Sequence, residues 1–136
     1  MMNRDDLRLL FEVVVGMIVG IITSLPTTVL ALLVLQVADI LTGMMSGYIT
    51  KSLDSRVSYV GLMRKVIVLI AVAASGYLGA ALRLPGAEIL PTGIAGFYAM
   101  HEGLSILENL TKAGVPLPAQ LKAALVQEQE SRRGDV

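Results

Sequence analysis

Four apolar runs follow one another along the chain, each close to the roughly 20 residues a helix needs to cross a hydrocarbon core about 30 Å thick. The first extends from Leu7 to Ser24, with Arg8 and Glu12 near its start as its only charges, and it stops at Thr23-Ser24-Leu25-Pro26. Proline disfavours helical geometry in the residue before it, so a tight turn is expected there. The second run, Thr28 to Ile49, holds only Gln36 and Asp39 as strongly polar side chains. A polar connector, Thr50-Lys51-Ser52-Leu53-Asp54-Ser55-Arg56, leads to the third, Leu62 to Leu82. That run opens with Arg64 and Lys65, whose long stems let their charges snorkel to the interface. The fourth, Ile89 to Leu110, has the length to span but carries His101, Glu102, Ser105, Glu108 and Asn109 in its second half. Gly114-Val115-Pro116-Leu117-Pro118 then reads as a helix stop. Ala119 to Gln129 suits one more short helix with Leu121 and Leu125 on one face, and Ser131 to Val136 read as disordered.

The pattern predicts an all-α integral membrane bundle of about four transmembrane helices, over residues 7–24, 28–49, 62–82 and 89–110, followed by a short amphipathic C-terminal helix. Three spans are the alternative, with the first run lying on the membrane, and the fourth run has partial entry or an interfacial position as its own alternative. Residues 1–118 form the transmembrane domain and residues 119–136 a cytoplasmic tail. With four crossings, ten of the eleven basic residues fall on one side against Arg83 alone on the other, which places both termini in the cytoplasm. The mixed charges of Arg4, Asp5 and Asp6 and the lack of a small-residue cleavage site argue against a cleaved signal peptide.

Composition agrees with this picture and removes several chemistries. The 54% hydrophobic content and the mean hydropathy of +0.71 exceed those of ordinary soluble domains. Eleven basic residues balance eleven acidic ones, which gives no bulk attraction to nucleic acid, and the absence of cysteine excludes disulfides and thiolate metal sites. There is one histidine, no glycine-rich phosphate loop and no nucleophile elbow. No enzyme, cofactor or metal centre is expected.

Two runs carry polar stripes that are awkward against lipid. An acidic side chain at mid-span costs about 2.5–3.5 kcal/mol on insertion scales. Asp39 lies near the middle of the second run and shares a helical face with Gln36, Thr42, Gly43 and Ser46. The fourth run aligns Tyr98, His101, Glu102, Ser105, Glu108 and Asn109 in the same way. Two explanations stand side by side: the stripes meet inside the bundle and fix helix register, or they line a water-filled path in an oligomer. Small residues recur at four-residue spacing, Gly16 with Gly20, Gly43 with Gly47, and Ser75 with Gly79 beside Gly76 with Ala80. Such pairs let helices approach closely in lipid, so self-association is the economical expectation.

The C-terminal third, Phe97-Tyr98-Ala99-Met100-His101-Glu102-Gly103-Leu104-Ser105-Ile106-Leu107-Glu108-Asn109-Leu110 followed by Gly114-Val115-Pro116-Leu117-Pro118, resembles the phage holin family that includes toxin-secretion holins. Upstream, Asp39-Ile40-Leu41-Thr42-Gly43 looks like that family's Asp-x-x-Thr-Gly motif, and Ser55, Gly61 and Lys65 are similar to its connector positions. Order and spacing agree from Gln36 to Leu125. The connector departs from the family's adjacent serines, with Ser55 followed by Arg56-Val57-Ser58, and nothing before Thr28 is distinctive. The resemblance implies a holin: a small protein that assembles in the bacterial cytoplasmic membrane and permeabilises it, so that an endolysin or a toxin leaves. In that reading Asp39, Glu102, Glu108 and Asn109 interact across helices or protomers, and opening exchanges those contacts for water. The competing readings are a small proton-coupled multidrug-type transporter and a non-lytic membrane scaffold.

Overall fold

The computed structural model describes residues 3–53 and 55–134, and within them the chain is all α. Helix α1 runs Arg4–Ser24, α2 Thr27–Ile49, α3 Ser55–Ala81, α4 Ile89–Lys112 and α5 Ala119–Gly134. Helix α3 begins before Leu62, because hydropathy locates the apolar stretch and not the helical turns that lead into it. Helix α5 extends to Gly134, past the stretch from Ser131 expected to be disordered, while residues 135–136 lie outside the described part.

Local chemistry explains where the helices start and stop. Helix α1 opens on a capping box in which the Asn3 side chain and Asp6 carboxylate answer free backbone N–H groups, with Asp5 and Asp6 complementing the positive end of the helix dipole. It ends just before Leu25, the residue that precedes Pro26, while the Thr23 and Ser24 hydroxyls donate to carbonyls of the last turns at 2.9 and 2.8 Å. The next three helix ends share one closure. The chain turns left-handed at Lys51 (φ 55°), Arg83 (φ 49°) and Gly114 (φ 82°). The following N–H groups then bond back, Ser52 to Gly47, Leu84 to Gly79 and Val115 to Leu110, at 2.9–3.1 Å.

Helices α2 and α4 run parallel and pack along most of their length, with α3 antiparallel beside them. The core is narrow. Leu32 and Ala95 are fully buried, joined by Val29 and Val72, with Leu25, Val68, Leu69, Ile94, Tyr98 and Ala99 partly buried around them. Every residue of α1 is exposed. Among the described residues three helices are long and apolar enough to cross a membrane: α1, α2 and the Tyr59–Ala81 part of α3. Helix α4 is not among them; its polar second half lowers its hydropathy, and it lies against α2 and α3.

The small residues divide into two groups. A methyl group added at Gly79 would sit 2.9 Å from the Ala87 Cβ and 3.1 Å from the Ala87 carbonyl oxygen, so this glycine admits the α3–α4 turn. One added at Gly47 would sit 2.9 Å from a Leu53 methyl, and one at Gly76 would meet Pro91 at an ordinary 3.7 Å. Ser75 turns its hydroxyl back to the Val72 carbonyl at 2.8 Å. Gly16 and Gly20 have nothing within 4 Å.

Candidate functional site

Asp39 lies near the middle of α2, Glu102 near the middle of α4, and the parallel packing of the two helices sets both carboxylates toward α3. Lys65 of α3 fills the space between them. Its Nζ lies 2.9 Å from the Asp39 Oδ2 and donates also to the Glu102 Oε2. The three side chains keep only 11–13% of their surface accessible, so this is a buried ionic cluster with no resemblance to an exposed ion pair. One ammonium serves two carboxylates.

A second layer of hydrogen bonds fixes the cluster. The Asn109 amide donates to the Asp39 Oδ1 at 2.9 Å and reaches the Thr42 hydroxyl at 3.3 Å, which ties the end of α4 to α2. Thr42 donates its own hydroxyl to the Asp39 carbonyl at 3.1 Å. Gly43 faces Asn109, and a methyl added there would stand in ordinary contact, 3.4 Å from the amide nitrogen. Buried Gln36 donates to the backbone carbonyl of Lys65 at 3.4 Å and so holds the α3 backbone to α2 at the same level.

Sequence reasoning singled out Asp39, Thr42, Gly43, Glu102 and Asn109, and the structure brings these together with Lys65. It does not bring the whole stripe of α4 to that point. His101 is half-buried and stacks edge-on with Phe97 at a centroid distance of 4.8 Å. Ser105 is half-buried one turn further on. Glu108 lies instead at the α4–α5 junction, in a groove shared with Thr111, Lys112, Lys122, Leu125 and Val126.

Lys65 is the residue that hydropathy reasoning misplaced. Expected to snorkel to the interface, it points inward, because Asp39 and Glu102 offer its ammonium two anionic partners. The signal was present: two mid-span carboxylates require a cation, and Arg64 and Lys65 are the basic residues deepest in an apolar run. Arg64 is exposed. Among the described residues no group of histidine, aspartate and glutamate side chains is arranged to hold a metal ion.

Residues 11–130 match the bacteriophage holin family, a span that reaches from α1 into α5 and so further upstream than the motifs beginning at Gln36. The Bacillus subtilis uncharacterized protein YqxH is 39% identical over 90 residues, covering 66% of this chain and 63% of the relative. A Clostridium perfringens uncharacterized 14.9 kDa protein is 40% identical over 98 residues, 72% of this chain and 74% of the relative. A Bacillus phage phi105 protein named "Probable holin" is 36% identical over 88 residues, 65% of this chain and 64% of the relative. The chain thus spans under two thirds of the length of the first and the last of these. No solved structure matches. Since the family match takes in the three helices of the ionic cluster in full, this membrane chain belongs to the bacteriophage holin family.

Proposed function

We propose that the chain is a holin that accumulates in the bacterial cytoplasmic membrane, assembles into homo-oligomers and opens lesions through which an endolysin, or a secreted toxin, leaves the cell. The observation that carries this reading is the Asp39–Lys65–Glu102 cluster. Charges are expensive at membrane depth and persist there when paired or wetted. A set of three that is paired within the subunit can be exchanged for water when subunits rearrange, with Asn109 and Thr42 following Asp39. Membership of the holin family and the relative named a probable holin support the same reading.

In this proposal α4 crosses the membrane alongside α2, its polar residues sheltered by α2 and α3. Both termini and the tail from residue 119 lie in the cytoplasm, as the grouping of basic residues favours. The exposed Gly16–Gly20 face of α1 supplies a surface for self-association. His101, Ser105 and Glu108 lie along the part of α4 that becomes wet on opening.

Timed expression in bacteria, with and without a co-expressed cytoplasmic cell-wall hydrolase, tests the proposal. Membrane potential should collapse abruptly after a delay, and turbidity should fall only when the hydrolase is present. A potential that persists at full expression would overturn the reading, and growth protection that depends on an added toxic compound would favour the transporter instead.

A further inference from the structure

The two ends of α3 are attached to the bundle in different ways. Toward its C-terminus the helix is held by shape: Val72 sits in the core with Leu32 and Ala95, Gly76 meets Pro91, and Gly79 lies against Ala87 across a short closed turn. Toward its N-terminus the large apolar side chains Leu62, Met63, Val66, Ile67 and Ile70 are exposed. Gly61, half-buried, shares a helical face with Lys65 one turn away, and there is room for a methyl group at its Cβ position. Lys65, through its ammonium on Asp39 and Glu102 and its carbonyl on Gln36, ties this half of α3 to α2 and α4 by polar contacts.

We infer that Lys65 is a clasp on a hinged helix: its release from Asp39 and Glu102 lets the N-terminal half of α3 swing away from the α2–α4 pair about the Gly79–Ala87 end. The two sides of the clasp have unequal fates. Lys65 lies only about 9 Å along the helix from Tyr59 at roughly 1.5 Å per residue, so once α3 turns outward its stem carries the ammonium to the interface. Asp39 and Glu102, near the centres of their helices, have no such exit, and unpaired carboxylates there draw in water. Opening the clasp therefore creates the demand for water on the α2–α4 surface. This inference deepens the proposed lesion-forming role and rests on it for its consequence, but not for its geometry.

The absence of cysteine allows spin labels to be placed in pairs without background. One pair, at Met63 and Met100, reports the clasp end, and another, at Tyr77 and Leu90, reports the hinge end; all four positions are exposed. Distances are measured by pulsed electron resonance on the full chain in lipid vesicles. Lys65→Met and Lys65→Glu should lengthen the clasp-end distance by on the order of 5 Å or more, half a helix diameter, and leave the hinge-end distance unchanged. The reciprocal pair Lys65→Glu with Glu102→Lys, which again sets one ammonium among two carboxylates, should restore the wild-type clasp distance. An unchanged clasp distance in both single variants, equal lengthening at both ends, or no restoration by the reciprocal pair would overturn the clasp. Clasp opening in the single variants without any faster loss of potential in cells would uphold the clasp and overturn its link to lesion formation.

Discussion

Helices α1 and α2 are nearly the same length, 21 and 23 residues, and both are long and apolar enough to cross a membrane, yet they stand in opposite relations to the rest of the chain. Every residue of α1 is exposed, and its Gly16 and Gly20 touch nothing. Helix α2 buries Gln36 and Ser46, along with Val29 and Leu32, and holds Asp39 in the ionic cluster. In water two helices so alike in apolar content would both be drawn to the core. Lipid tails are as apolar as leucine, so that drive is missing, and helices are held by polar groups that need partners and by close backbone approach. Apolarity and length suit α1 to a membrane; polar partners help hold α2 beside α4.

The sharpest test of that contrast is Asp39→Leu, which takes from α2 its one charged side chain. It removes an anion from Lys65 and an acceptor from Asn109. Lys65 keeps Glu102 as its partner, so the loss is that of the hydrogen bonds to the Asp39 carboxylate, about 1.5–3 kcal/mol, and the thermal midpoint of the chain in detergent should fall. A midpoint that holds or rises would mean that apolar packing binds α2 to α4, and the comparison would fail.

Gly79→Val asks whether close approach matters as much as charge. The added branches would enter a space where the first methyl already stands 2.9 Å from the Ala87 Cβ and 3.1 Å from its carbonyl oxygen. Overpacking of this kind costs about 1–3 kcal/mol, because backbone has to move. Gly96→Ala is the partner measurement: it also lies on a packed helix but has nothing within 4 Å, and it should cause no loss of midpoint. Equal losses at the two glycines would assign the effect to helical glycine in general, not to the α3–α4 turn.

The helices themselves were legible because four apolar runs separated by Pro26, the polar connector and Pro85-Gly86 leave few alternatives. Their ends were legible where the turn residue advertises itself, as Gly114 does, and hidden where it does not. Lys51 and Arg83 adopt the same left-handed turn as Gly114, and nothing in a lysine or arginine marks the position. The cluster was half legible. Period arguments put Asp39 and Asn109 on inward faces, but they treat each helix alone and could not say that Glu102 shares a cation with Asp39. Nor could they place Glu108, which lies on the polar side of α4 yet ends beside Lys122 of α5. Lys65 was misread because snorkelling is the ordinary fate of a lysine near a helix end, and only a partner on another helix reverses it.

Those unmarked turns lead to a smaller expected effect. Lys51→Gly should relieve the left-handed strain of an L residue at φ 55°, offset in part by the greater freedom of glycine in the unfolded chain. A net gain of about 0.5–1 kcal/mol, seen as a modest rise in the midpoint, is expected. A loss instead would show that the side chain of Lys51 contributes more at this helix end than its backbone costs.

The smallest effect on the folded subunit belongs to α1, and it is the one that returns to the comparison most directly. Gly16→Leu and Gly20→Leu together add two large side chains where nothing lies within 4 Å, so within one chain they enter lipid or detergent and disturb no contact. The midpoint should change by no more than about 0.5 kcal/mol equivalent, as for other surface changes. Between chains the outcome should differ. If the bare glycine face is where α1 meets another subunit, leucines there hold the two backbones apart. Cross-linking in vesicles across a dilution series should then give fewer oligomers, and loss of membrane potential in cells should come later. A midpoint that falls as far as that of Asp39→Leu would show that α1 packs on its own bundle, and an oligomer yield unchanged at every dilution would move self-association to another face.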